Sequence, residues 1–153
     1  MRKASIKDKD LVVDILTDSF KENKSIINVT RKGKNQLKRI RDLMEFFYLN
    51  ALYNGDVFLS DNNKACLLML VRDGEKKSTF TQDLILILWK VNLFFNVLGI
   101  KNVRNVIQRE KAINSNLDKS KHLHLYYVAV YKEFQGNSLG TKLINDAISY
   151  YNG

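Results

Sequence analysis

Apolar side chains recur along this chain with two different periods, and the periods divide it into strands and helices. Leu11, Val12, Ile15, Leu16 and Phe20 follow helical spacing. Asp8 or Asp10 stands where a helix cap is needed. Ahead of them, residues 1–7 predict a short first strand with Ala4 and Ile6 on one face. Residues 21–35 are polar and basic, and predict a long loop. Residues 36–54 return to the helical period, with Leu37, Ile40, Leu43, Met44, Phe47 and Ala51 on one face. Asn54 and Gly55 end that helix, glycine being the common C-terminal stop.

Residues 57–60 and Ala65–Arg72 predict two strands. Asp61, Asn62, Asn63 and Lys64 between them have hairpin-turn chemistry, because Asn and Asp tolerate positive φ. From residue 80 to about residue 113 the pattern is mostly helical. Residues 123–130 are apolar on both faces, the pattern of a central buried strand. After Gly136 an amphipathic helix carries Leu139, Leu143, Ile144, Ala147, Ile148 and Tyr151 inward. The order is β-α-α-β-β-α(α)-β-α, with one or two helices in the sixth place, a mixed α/β single domain over residues 1–153.

Composition narrows the class. The chain has 153 residues, 45% hydrophobic and 10% aromatic, enough to bury a core and to exclude disorder. Its one cysteine, Cys66, excludes an internal disulfide framework and a Cys-cluster zinc site, and Leu67, Leu68 and Leu70 beside it indicate a core position. Two His and one Cys give no metal-ligand cluster, so no metal is expected. The N-terminus has no apolar signal region, which with the single cysteine predicts a reducing, cytoplasmic setting. The net charge of +9 points to an anionic partner: nucleic acid, anionic lipid or a phosphate-rich cofactor.

The chemistry concentrates in residues 123–151. A buried strand runs into a polar turn, then into Gln135, Gly136, Asn137, Ser138, Leu139 and Gly140, and then into a helix. The free N–H groups of a helix start, with the helix dipole, make a phosphate site. Gly136 and Gly140 permit close backbone approach, or simply serve a tight turn. Ser138 and Thr141 add hydroxyl donors. No Lys follows Gly140 as in a P-loop, and the dinucleotide pattern G-x-G-x-x-G is absent.

This segment resembles the central motif of the GNAT superfamily of acetyl-CoA-dependent N-acyltransferases, an apolar strand followed by Gln/Arg-x-x-Gly-x-Gly/Ala. Gln135 and Gly140 match, Val128, Ala129 and Val130 match the strand, and Ser138 replaces the usual middle glycine. The resemblance implies a GNAT-like mixed sheet flanked by helices, and transfer of an acetyl group from acetyl-CoA to a primary amine. It implies that backbone of Val128, Ala129 and Val130 holds the pantetheine arm. N–H groups from Gln135 through Gly136, Asn137, Ser138, Leu139, Gly140 and Thr141 then hold the pyrophosphate. In some branches a strand glutamate serves as base, and its place here is taken by His124, a residue type that ordinarily titrates near neutral pH. His124 equally lines the cleft as a structural residue, alternating with His122 and Tyr126 on one strand face.

Two further features depart from the family. The strand–helix–strand that usually follows the last helix is absent, which leaves the strand of residues 123–130 with an open edge. A fragment of a longer protein is the expectation, with a naturally shortened chain or completion by another chain as the alternatives. A helical insertion spans about residues 80–113. Residues 84–100, mostly Leu, Ile, Val, Phe and Trp, are too short and interrupted for a membrane span. A helix packed on the sheet is the default expectation. Shaping the acceptor cleft or forming a homodimer interface, with Trp89, Phe94 and Phe95 as anchors, are its candidate uses. Residues 31–41 carry six cations and no acid. They form either a solvated face or a border for an anionic acceptor. A nucleic-acid surface is the rival, without the interleaved aromatics such surfaces use. The alternative to catalysis is a non-catalytic CoA-binding or nucleic-acid-associated module.

Overall fold

The structure, a computed structural model, describes residues 1–72, 79–98 and 122–152, with backbone alone for residues 71, 72, 122 and 123. Among the described residues four strands form one sheet: β1 (Arg2–Lys3), β2 (Gly55–Leu59), β3 (Ala65–Arg72) and β4 (His122–Val130). Their spatial order is their chain order, and every neighbouring pair is antiparallel. The helices are α1 (Lys9–Phe20), α2 (Lys24–Val29), α3 (Gln36–Asn54), α4 (Phe80–Asn92) and α5 (Leu139–Asn152).

Alternation along β2 and β3 sends successive side chains to opposite faces. Val57, Leu59, Cys66 and Leu68 join Val12, Ile15, Leu16, Met44 and Tyr48 in the larger core, beneath α1 and α3. Phe58, Ala65, Leu67 and Met69 meet Leu143 and Ala147 of α5 on the other face. The chain is a three-layer sandwich with unequal sides, and β4 contributes to both layers.

Local chemistry explains the joints. Asn63 in the β2–β3 turn takes φ 57°, and Ser60 Oγ accepts from the N–H groups of Lys64 and Ala65 at 3.1 and 2.9 Å. Before α1, Ser5 and Asp8 form a capping box, the Ser5 N–H donating to Asp8 Oδ2 at 2.8 Å. Asp8 occupies the cap position of α1 without a side-chain bond to it.

Several expectations change. The loop predicted over residues 21–35 contains α2, whose start is capped by Asn23 Oδ1 accepting from the Ser25 and Ile26 N–H groups. Its six residues are too few for a periodic apolar signal. The first strand is shorter than residues 1–7, since Ile6 lies exposed in a 3-10 turn. The β2 strand begins at Gly55, so helix α3 passes into it with no loop. Strand β4 is not central: among the described residues it is the last in the sheet. Its apolar residues read as two-sided because helices cover both faces of an edge strand. The expected helix from residue 80 is found as α4 continued by a π-helical turn, Leu93–Val97; its predicted extension to residue 113 lies outside the described residues. Rather than lying on the sheet, it packs through Leu86, Leu93 and Val97 within the larger core, in contact chiefly with α3. Leu37 and Ile148, expected to face inward, are exposed.

Candidate functional site

The site is assembled where β4 hands the chain to α5. Ala129 and Tyr131 have the parity that bonds toward β3, as the Tyr131 N–H to Lys64 oxygen contact of 3.0 Å shows. In an antiparallel ladder the intervening residues point their N–H and C=O groups the other way. Val128 and Val130 therefore present backbone to the outer edge of the sheet. Their side chains turn to α5 and lie 3.5 and 3.6 Å from where a Cβ at Gly140 would stand. Ala129 is buried in the larger core.

Beyond Val130, Lys132–Phe134 make one 3-10 turn. Its start is strapped to α1: the Lys132 N–H donates to Asp18 Oδ2 at 2.8 Å, and Lys132 Nζ meets Glu22 at 2.7 Å. The Lys132 N–H, then Lys21, hold the Asp18 carboxyl below its ordinary range. Gln135 folds back, its Nε2 donating to the Val130 oxygen at 3.2 Å, and Asn137 Nδ2 donates to the Phe134 oxygen at 3.3 Å.

Gly136 at φ 82° and Ser138 at φ 57° then reverse the backbone twice. The first bond at the start of α5 runs from the Lys142 N–H to the Ser138 oxygen at 2.9 Å. The N–H groups of Leu139, Gly140 and Thr141 consequently have no helical acceptor, and those of Gly136, Asn137 and Ser138 find none among the described residues. Left-handed residues flanking a helix start gather such donors into an anion-binding concavity. Gly136, Asn137, Ser138 and Thr141 are exposed around it, and Leu139 and Gly140 partly so.

His124 is half-buried and pairs with Leu70 on the helix-covered face of the sheet. A bulge separates it from the motif: Leu68 opposes Tyr127 while Met69 opposes Leu125, leaving Tyr126 extra. The expected alternation of His124 with Tyr126 ends at this bulge, because Tyr126 and Tyr127 both join the larger core. Tyr127 stacks on Phe47 at 4.6 Å, and burial pushes its hydroxyl up to about 12. Burial likewise pushes the Cys66 thiol up, in keeping with a core residue.

A surface groove of about 700 Å³ borders the start of the connection, between α1, α3 and residues 131–133. Its charges are largely matched: Arg41 pairs with Asp14, and Lys21 with Asp18 at 2.6 Å. Thus Arg41, counted in the basic run, is neutralised. The structure brings the loop residues and the β4 backbone together, and sets His124 upstream of them along the same strand. Sequence reading missed the Asp18–Lys132 strap, whose partners lie 114 positions apart, and the bulge, which leaves no residue signature. Among the described residues no group of His, Cys, Asp and Glu could hold a metal ion. No helix among them is long and apolar enough to cross a membrane.

The described sheet, with its bulged β4 and the turn and helix that follow it, has a GNAT-like α/β fold. A crystal structure described as "histone acetyltransferase HPA2 and related acetyltransferase" from Corynebacterium glutamicum superposes with a TM-score of 0.66, over 97% of this chain and 69% of that one, at 16% sequence identity. No protein-family model matches the chain. No curated protein matches it in sequence.

Proposed function

We propose that this chain transfers an acetyl group from acetyl-CoA to a primary amine. The observation that carries the reading is the cluster of free N–H groups at residues 136–141, placed at the end of a strand whose outer edge is unpaired among the described residues. Diphosphate oxygens suit the loop. The amides of a pantetheine arm suit the Val128 and Val130 edge as an added strand suits a sheet. The acetyltransferase likeness of the fold supports the same reading.

In the proposed reaction the amine nitrogen attacks the thioester carbonyl. A C–N bond forms, the C–S bond breaks, and coenzyme A leaves as thiolate. His124, directly or through water, takes the proton lost by the amine, and the thiolate is reprotonated from solvent. Gly136, Asn137, Ser138, Leu139, Gly140 and Thr141 hold the phosphates. Gln135 braces the loop, because its N–H donates to the Lys132 oxygen at 3.3 Å and its Nε2 to the Val130 oxygen, and Ala129 fixes the strand between Val128 and Val130. Thermal unfolding tests the binding half: acetyl-CoA at 100 times its Kd adds about 2.7 kcal/mol of stability, and an oligonucleotide adds none. No shift at millimolar acetyl-CoA overturns the proposal, and a shift without thiol release on mixed amines leaves a CoA-binding module. Thiol release tests the base: His124→Ala lowers kcat/KM roughly 10²- to 10⁴-fold. An unchanged value assigns His124 to the structure of the cleft.

A further inference from the structure

Helix α4 has two apolar sides. One carries Leu86, with Leu93 and Val97 of the π turn, into the core. The other shows Leu84, Ile87, Leu88 and Val91 to solvent at intervals of three and four, with Phe80 at its head 84% exposed. Phe94 and Phe95, the latter 67% exposed, prolong this stripe into the π turn. Its length is about 22 Å at 1.5 Å per residue. A continuous apolar face of this size on a described surface is a docking surface rather than chance exposure.

A second feature adjoins its end. The Arg31 N–H donates to the Val97 oxygen at 2.8 Å, and Thr30 bridges to Leu98. Arg39 reaches from α3 to the Asn96 oxygen at 3.1 Å and to the Arg31 oxygen at 3.0 Å. Arg31, Lys32 and Lys34 are exposed, and with Arg39 they form no ion pair among the described residues. Four cations without an ion pair among the described residues therefore adjoin the aromatic end of the stripe, tied there by the hydrogen bonds of Arg31 and Arg39.

Apolar side chains ending in a cationic cluster match one surface chemistry: acyl chains beneath anionic headgroups. We propose that α4, its π turn and the Arg31–Lys34 loop bind the chain peripherally to an anionic lipid bilayer. The Phe and Leu side chains enter the headgroup boundary, and the cations sit at the phosphate level. Nucleic acid matches the cations and leaves the aliphatic stripe without a partner. A second copy matches the stripe but brings a second +9 chain, with its own cationic loop, against the first. This binding is independent of the acetyl-transfer reading.

Cosedimentation of the full chain with vesicles of phosphatidylcholine alone, and of phosphatidylcholine with phosphatidylglycerol, tests the proposal. The chain is expected to bind the anionic vesicles, and binding is expected to weaken as salt rises. Each cation removed costs roughly five-fold, the equivalent of about 1 kcal/mol. The triple change Arg31→Gln, Lys32→Gln, Lys34→Gln is then expected to weaken binding on the order of 100-fold. Leu88→Glu with Phe95→Glu abolishes binding through the stripe. Both positions are exposed, and circular dichroism checks that the variant folds; if it does not, the loop variant alone decides. Three results overturn the proposal: no binding to anionic vesicles, equal binding by the variants, or a wild-type dimer that Leu88→Glu with Phe95→Glu turns into a monomer.

Discussion

Ser138 holds a backbone conformation, φ 57°, that a side chain with a Cβ adopts at a cost. Ser138 stands where the motif that this segment resembles has glycine, the residue that takes a left-handed conformation without strain. Ser138→Gly is expected to raise stability by up to ~1 kcal/mol in urea unfolding, since the strain relieved exceeds the chain entropy added. Ser138→Val is expected to lower it, a β-branched residue being least tolerant there. Gly55 shows the opposite case. Its φ of −173° is open to any residue, yet a Cβ there would stand 1.9 Å from the Met69 oxygen. Gly55→Ala is expected to cost about 3 kcal/mol by forcing β2 from β3, measurable as a lower urea midpoint. The helix-stop reading of Gly55 named the right residue for the wrong reason, because close approach across a sheet is invisible along the chain.

At the scale of elements, long periodic stretches were legible and short or long-range features were not. Helix α3 and strand β3 lie where the periodicity predicts, because nineteen and eight residues each bury a full repeat of side chains. Helix α2 has too few residues to declare a period, and capping by Asn23 sustains it instead. The motif loop was legible by composition, and its left-handed residues fall at Gly136 and Ser138 inside it. The apolar pattern of β4 did not show its edge position, since two apolar faces look the same whether strands or helices flank them; the open edge followed only from the family resemblance. The outward face of α4 was also hidden: a helix apolar all round reads as buried, and here one side is exposed.

Over the whole molecule, acidic groups tie a strongly cationic chain together. Asp8 pairs with Arg2 at 2.7 Å, Lys3 with Asp56 at 2.8 Å, and the N-terminal ammonium with Asp61 at 2.9 Å, so carboxylates pin β1 to the turn before α1 and to the sheet. The Arg2 guanidinium, with the Ser5 N–H, lowers the Asp8 carboxyl from 3.8 to about 2. A lowered carboxyl adds stability above its unfolded pKa, and that stability is lost as pH falls from 3.8 through 2. The charge works in the same direction, because protonating sixteen acids leaves twenty-five Lys and Arg to repel one another. Unfolding midpoints are expected to drop below pH 4, and Asp8→Asn removes the part of that drop owed to Asp8. Equal acid slopes in the two proteins would remove Asp8 from the account.

The register between β3 and β4 places Arg72 opposite His122. The chain thus leaves the sheet and returns to it at one point, Cα atoms about 5 Å apart in such a ladder. Helix α4 and its π turn lie between these two paired strand ends in the chain, and the sheet's hydrogen-bonding order does not depend on the length of the connection. Closing the gap with an Asn-Gly turn is expected to preserve the β2–β3–β4 register in amide exchange. It surrenders the α3 surface that Leu86, Leu93 and Val97 cover. A segment joined in this way can change in size or sequence without disturbing the turn of residues 135–138 beyond the other end of β4. The surface that α4 presents can therefore change while the turn between β4 and α5 keeps its geometry.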